Sequence, residues 1–308
     1  MLDGLNRRKR MPALVAAMAV ALTLSGCAGT GTAEPAGNSK PVNTEDASAD
    51  LAALLPDDIR EQGSIKVASN VEYPPFEYYD TDNTTIIGLD KDIADALTAK
   101  LGVTLEFNNM GFDAIIPALE AKRFDMAMSA MTDNEERRAK VDFVDYFSSG
   151  AGFLVPGGNP DGITGLADIC GLTVAVDKGT TNVEDAEAQS QKCVDGGEEA
   201  VKVEIYPGTS KIVLALQTGR ADLAMIDTSS AAYTAEQSNG KFEVPGAPYD
   251  PRHYGIVLPK GSDELAEALQ AALEEMLADG SYAEILKKWG QEAGAIDEIT
   301  INDGEGLS

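Results

Sequence analysis

Histidine is almost missing from this chain: His253 is the one copy in 308 residues, beside three cysteines, one tryptophan and an aromatic share of 6%. With a single imidazole, Ser-His-Asp and Cys-His machinery is nearly excluded. H-E-x-x-H, P-loop and paired-cysteine metal motifs do not occur. Two sulfurs and one distant histidine do not make a zinc site, so neither a metal nor another cofactor is expected. Basic residues are scarce too, 24 against 51 acids for a formal net charge of -27. No broad basic surface is left to neutralise phosphates, and nucleic acid is not an expected partner. Carboxylates are so abundant that an arbitrary pair of them carries no catalytic information. Binding, with no bond making, is the default expectation.

What is present begins at the N-terminus. "NRRKR" followed by the apolar "MPALVAAMAVALTL" reads as a signal peptide, because the run is too short to span a bilayer comfortably. It ends in "LSGC", and small residues before a cysteine at that place resemble the lipobox of bacterial lipoproteins. The resemblance implies residues 1–26 as signal and Cys27 as the lipidated first residue of the mature protein, held at the extracytoplasmic face of the cell membrane. A plain secretory signal with an incidental cysteine is the alternative. Arg7 and Arg8 leave the twin-arginine route open beside the general one. Residues 27–56, rich in Gly, Pro, Ser, Thr and Ala, read as a tether, and about 25 such residues reach roughly 25–30 Å. No later segment is apolar enough to cross a membrane, so the remainder is expected to be extracytoplasmic. In that oxidising setting Cys170 and Cys193 are expected to form a disulfide, worth roughly 3 kcal/mol in the chain-entropy model.

From Ser64 onward short apolar runs alternate with helical periodicity, which points to an α/β fold. "SIKVAS", "TLEFNN", "FDMAMSA" and "VKVEIYP" read as strands. "DKDIADALTAKLG" sets Ile93, Leu97 and Leu101 four apart before a glycine stop and reads as a helix. "FDAIIPALEAK" and "TSKIVLALQTG" read as helices, and "CGLTVAVDKGTTNVEDAEAQ" as strand, turn and helix. A long helix over Asp263–Asp279 presents Leu265, Leu269, Leu273 and Met276, and Ser281 with Glu284 forms a capping-box pattern for the next one. Trp289 is expected to pack in the core.

"ALEAKRFDMAMSA" and "ALQTGRADLAMID" match at six of thirteen positions with an offset of 97 (215 minus 118). Both read as helix end, tight turn and an apolar strand ending at a polar residue, Thr132 or Asp227. Ligands usually sit at such strand-to-helix junctions, so two of them suggest two lobes sharing a cleft. "GFLVPGGNPDGITGLAD" reads as the crossing between lobes and "VPGAPYDPRHYGIVLPKG" as the return. In "AMSAMTDNEERRAK", Thr132 and Glu135 form a capping box, so a helix is expected to start at Asp133. Local pairing of Asp133 with Arg137 and of Glu136 with Lys140 explains its charges without any ligand. Periodicity does not choose between Arg137 and Arg138.

At this point the residues resemble a known family, the extracellular solute-binding proteins of family 3, amino-acid receptors of bacterial ABC importers. The similarity covers almost all of Ser64–Gly290, including "YPPFEYYD", "GLDKDIADALTAKLG", "FDAIIPALEAKRFDMAMSAMTDNEERRAKVDFVDYF", "ADICGLTVAVDKGTT", "GRADLAMID", "YGIVLPKGS" and "DGSYAEILKKWG". It implies a two-lobed periplasmic-binding-protein-like fold of type II. Lobe 1 would comprise 57–149 and, on the return, 253–308; lobe 2 would comprise 150–252 with hinge crossings at both ends. It implies Arg137 as the bidentate anchor of a ligand α-carboxylate, with Thr132, the Ala130 backbone, Ser129 and Thr181 around it. Arg138 falls at a solvated position of the pattern. Asp227 matches the acid that binds the α-ammonium, and Tyr73 and Phe112 the aromatic pair around the ligand side chain.

Asn70 stands where many relatives that bind basic or amide side chains carry Asp. This favours a neutral polar ligand such as glutamine, with a basic amino acid as second choice if Glu72 or Asp177 supplies a countercharge. The implied partners are a free amino acid and ABC-transporter membrane subunits, with the protein a monomer. Exported dehydratases share the fold, as do sensor domains of membrane receptors. A chain ending at Ser308 with no second membrane segment argues against a fused receptor, while ligand delivery to a sensor stays open.

Overall fold

The computed structural model describes residues 48–304. The segment expected as signal peptide over 1–26, Cys27 and the expected tether as far as residue 47 lie outside the described residues. The last stretch expected as tether belongs to the fold. Helix α1 (Ala49–Ala52), capped by Ser48, and helix α2 (Asp57–Gln62) deliver Leu51, Leu55 and Ile59 into the core, because "LAALL" is apolar enough to be driven there.

Twelve strands follow in the described residues: β1 (Ser64–Ser69), β2 (Glu72–Tyr73), β3 (Glu77–Tyr79), β4 (Ile86–Ile87), β5 (Thr104–Asn109), β6 (Met126–Thr132), β7 (Val141–Pro156), β8 (Thr173–Asp177), β9 (Lys202–Tyr206), β10 (Leu223–Asp227), β11 (Phe242–Glu243) and β12 (Tyr249–Pro259). The main sheet runs β5-β1-β6-β12-β7-β10-β8-β9, with β11 on β7; β2, β3 and β4 form a small antiparallel sheet. Helices α3 (Leu89–Leu101), α4 (Ile115–Glu120), α5 (Glu135–Arg138), α6 (Thr181–Asp195), α7 (Thr209–Gln217), α8 (Thr228–Gln237), α9 (Asp263–Asp279) and α10 (Ser281–Trp289) cover both faces.

The sheet order is a near-repeat about its middle. In one half β1 pairs in parallel with β5 and β6, and β6 runs antiparallel to β12. In the other, β8 pairs in parallel with β9 and β10, and β10 runs antiparallel to β7. The thirteen-residue match is the physical mark of that repetition. Lys122 and Gly219 both take the left-handed conformation at the turn (φ +53° and +67°). Asp125 then accepts from the Lys66 amide and Asp222 from the Thr173 amide, each at 2.7 Å, so the repeated aspartate fastens the neighbouring strand in both halves.

Two cores serve each half, one on either face of its sheet. Ile93, Leu97 and Leu101 of α3 and Leu265, Leu269, Leu273 and Met276 of α9 are buried together, as their spacing requires. Cys170 and Cys193 form the expected disulfide, tying the end of α6 to the segment before β8. The halves are joined by β7 and β12, which pair with each other from Val141 to Ala151 and from Tyr249 to Pro259. The crossing thus lies in a continuous strand upstream of the Gly- and Pro-rich segment expected to hold it. Strand pairing carries the chain across because the two strands satisfy backbone groups on each other along this stretch, with register shifts between Tyr249 and Arg252 and between Tyr254 and Gly255.

Two cap readings need correction. Thr132 is still in β6, opposite Tyr254, and the Asp133 amide donates to the His253 carbonyl, so the strand runs past the expected helix start. Asn134 is the N-cap; its side-chain oxygen accepts from the Arg137 amide at 2.9 Å, and α5 is a single turn. At α10 Gly280 occupies the cap at φ +83°, and the Ser281 hydroxyl is buried without a hydrogen-bond partner. Trp289 is half-buried against the core and donates to Asp92 at 2.7 Å.

Candidate functional site

The carboxyl ends of β1, β6, β8 and β10 converge on one cavity of about 370 Å³ of empty volume. All nine residues expected around a ligand line it: Asn70, Tyr73, Phe112, Ser129, Ala130, Thr132, Arg137, Thr181 and Asp227. Glu77, Asp177, Thr180 and Asn182 complete the wall. The position follows from topology, since parallel strands of both halves leave their free ends, and the loops they feed, on the same edge.

Arg137 is 8% exposed, and burial pulls its pKa below the ordinary guanidinium value. Its Nη1 donates to the Thr132 carbonyl at 2.8 Å and its Nη2 to the Gly179 carbonyl at 3.2 Å, while its guanidinium carbon stands 5.5 Å from the Phe112 ring centre. Two of five N–H donors are thereby committed and the plane is fixed, which leaves a fork for an anion. Gly179 has φ +81°, and a Cβ there would come within 3.0 Å of Asp113, so glycine lets the two walls meet at this turn.

Arg138 has a different place from the solvated one expected. It reaches the buried Asp133 at 3.4 Å and the Asn302 carbonyl at 3.2 Å, binding the C-terminal segment to α5. The expected Asp133–Arg137 pairing is replaced by this one, because Asp133 still follows the strand and points inward. Lys140 pairs with Glu136 at 3.4 Å as its spacing suggests.

Asp227 caps β10 opposite Arg137. Burial raises its pKa, and the phenols of Tyr254 and Tyr73, the Asn182 amide and the Arg137 charge pull it back. Tyr73 donates to Asp227 at 2.6 Å across the cleft, a second role for a residue expected only to flank the ligand side chain. The carbonyl oxygen of Asn182, a residue 3% exposed, has no hydrogen-bond partner among the described residues.

The floor is a buried carboxyl pair. Asp90 accepts from Tyr146 at 2.6 Å and from the Ala130 amide at 2.9 Å. Glu77 accepts from Ser129 at 2.8 Å, and burial next to Asp90 pushes its pKa well above the carboxylate range, which favours its neutral form. Ala130 sits at φ +45°, and the Asp90 bond to its amide holds this strained backbone in place. That amide is consequently committed to Asp90, and a backbone contact from Ala130 to a ligand has only the carbonyl left to make it.

At the other end, Asn70 donates its Nδ2 to the Met110 carbonyl at 3.0 Å, and its Oδ1 takes no hydrogen bond among the described residues. One Nδ2 hydrogen and the Oδ1 both remain for a ligand, so Asn70 offers one donor and an acceptor there. Glu72 stays outside the cavity, accepting from Ser210 at 3.2 Å, while Asp177 is inside it. Asp177 accepts from the Gly208 amide at 2.8 Å; burial pushes its pKa up to about 6, with Glu72 and Asp113 adding to the rise against the Gly208 and Lys178 amides. Thr180, Asn182 and Glu77 were not legible as wall residues. The "KGTTN" and "YPPFEYYD" stretches that carry them were, which is the one signal that pointed to them.

The halves touch around the cavity as well. Ser230 donates to the Pro74 carbonyl at 2.8 Å, the Tyr78 and Tyr233 hydroxyls lie 3.0 Å apart, and Lys178 pairs with Asp113 at 2.8 Å. An anion-binding fork and a carboxylate face each other in a largely closed space, as the two charged ends of a zwitterion require.

Known proteins share this frame. The arginine-binding protein ArgT of Corynebacterium glutamicum is 32% identical over 301 residues, 96% of either chain. An ancestral arginine-binding protein solved with arginine is 36% identical at a TM-score of 0.66, with 74% of this chain and 98% of that one covered. One solved with glutamine is 37% identical at 0.67, covering 75% and 99%. The ancestral amino acid-binding protein AncCDT-1, a precursor of cyclohexadienyl dehydratase, is 32% identical at 0.69, covering 77% and 99%. A family model matches residues 65–292, and with it the chain belongs to the bacterial extracellular solute-binding proteins, family 3.

Proposed function

We propose that this protein captures a free amino acid outside the cytoplasm and hands it to the membrane subunits of an ABC importer, tethered through a lipidated Cys27. The carrying observation is the facing pair, Arg137 and Asp227, on opposite walls of one cavity. The guanidinium fork takes the α-carboxylate and Asp227 the α-ammonium, so only the closed arrangement satisfies both charges. Thr132 fixes the fork through its carbonyl, and Thr181 at the start of α6 adds to the carboxylate end. Phe112 and Tyr73 flank the ligand chain, and Ser129 positions Asn70 through its amide at 3.0 Å. Asn70 keeps a free acceptor and one free N–H, so a polar side-chain tip is favoured: an amide, a guanidinium or an ammonium. Purely apolar side chains leave these groups unpaired, and acidic ones meet the Asp177 carboxylate in the same cavity. Within the chain, the proposed lobes are 57–149 with 253–308, and 150–252.

A thermal-shift screen over the twenty amino acids tests this reading. A ligand at a hundredfold excess over its Kd stabilises by about 2.7 kcal/mol, which gives a shift of several degrees for a domain of this size. Donor-tipped amino acids should raise Tm while glutamate and leucine leave it in place. If no amino acid moves it, the reading fails; product analysis of the same mixtures separates capture from dehydration.

A further inference from the structure

Among the described residues, the cavity lining holds one guanidinium, Arg137, and three carboxyl groups, Asp227, Glu77 and Asp177. Under the reading above, on which this inference rests, the zwitterionic head of the ligand is matched by Arg137 and Asp227 and leaves no net charge. Glu77 is fully buried against Asp90 and accepts from Ser129, and burial there favours its neutral form, so it is not counted as a countercharge. Asp177 remains. It is 6% exposed, and the nearest cation on its own turn, Lys178, is engaged by Asp113. A buried carboxylate with no cation costs free energy that a cationic ligand recovers.

We infer that Asp177, on the second lobe, is the residue that selects the ligand side chain, and that the class it selects is cationic, a guanidinium or ammonium group, in preference to a neutral amide. Asn70 on the first lobe contributes a neutral acceptor to the same group. Glu72, the other candidate countercharge, is outside the cavity and held by Ser210. The unpartnered carbonyl of Asn182 adds one more acceptor and no donor. Selection therefore resides on the wall that arrives with closure, whereas the first wall reads chiefly the head group.

The test uses the full mature chain and three probes: arginine, its neutral isostere citrulline, and glutamine. Wild type should bind arginine roughly 30-fold or more tightly than citrulline, the usual size of losing one member of a buried charge pair. Asp177→Asn keeps an acceptor for the Gly208 amide and should bring the arginine-to-citrulline ratio close to one, with a far-ultraviolet spectrum and melting curve confirming the fold. The wild-type ratio needs no variant, so a misfolded D177N does not shield the inference. Equal wild-type affinity for arginine and citrulline overturns the selection by Asp177 and leaves the receptor reading standing. Failure of all three probes to bind, with lysine and the other amino acids also leaving Tm in place, overturns both.

Discussion

Arg137 is the position where a single change should do most. Its guanidinium is buried, braced by the Thr132 and Gly179 carbonyls, and stacked on Phe112. In Arg137→Met the volume and much of the apolar stem are kept, so the wall stays filled. The ligand carboxylate then enters the same closed space with no cation. Removing one partner of a buried ion pair costs about 3–5 kcal/mol, because the other is left uncompensated. At about 1.4 kcal/mol per tenfold, Kd should rise on the order of a hundredfold to several thousandfold. Arg137→Lys restores the charge but not the fork, since an ammonium cannot make two parallel bonds while also reaching Thr132 and Gly179. Its loss should fall between wild type and Met. Titration calorimetry on folded variants reads all three, with stability checked separately by melting. Unchanged affinity in R137M, or equal loss in the Lys and Met variants, would refute the bidentate assignment.

The disulfide closes a separation of 23 residues, so Cys170→Ala with Cys193→Ala should lower stability by about 3 kcal/mol in chemical denaturation and leave Kd within a factor of a few, as neither sulfur lines the cavity. Stability should fall as pH rises from 5 to 8. Burial pushes Asp145 up to about 7, with Asp133 and Asp303 raising it further against the Thr300 hydroxyl and the Asp303 amide. A carboxyl with a raised folded pKa binds more protons folded than unfolded across that interval, so its contribution is present in acid and lost through pH 7. Asp145→Asn should flatten the slope of Tm against pH; an unchanged slope means the burial cost lies elsewhere.

The alternation of strands and helices was legible because it rests on local periodicity. Ile93, Leu97 and Leu101 can face the core only as a helix, and the repeated "RxDxAM" marks a turn whose aspartate fastens the next strand in each half. The continuous strand through the crossing was not legible for the opposite reason. Gly and Pro announce a break, but β7 runs through the junction unbroken, since its hydrogen-bond partner β12 comes from about a hundred residues away (249 minus 151). The cap at Thr132 failed the same way: a local Thr-to-Glu signal lost to a long-range pairing with Tyr254.

The site itself divides along that line. Arg137 and Arg138 are adjacent, alike in charge and alike in helix context, so no local rule separates them; the separation comes from what meets each one, the Gly179 carbonyl from the second half or Asp133 and the C-terminal segment. Asn70 and Asp227 are 157 positions apart (227 minus 70), and each looks like an ordinary polar strand end until the other wall is in place. Asp177 was visible as one countercharge among two. The three-dimensional arrangement sets Glu72 outside the cavity and Asp177 inside it, and on that placement the inferred preference turns from an amide side chain to a cationic one. A receptor whose selecting carboxylate sits on the closing wall discriminates at the closing step, so the wrong side chain should be rejected through fast dissociation from the open form, with little change in the rate of first encounter.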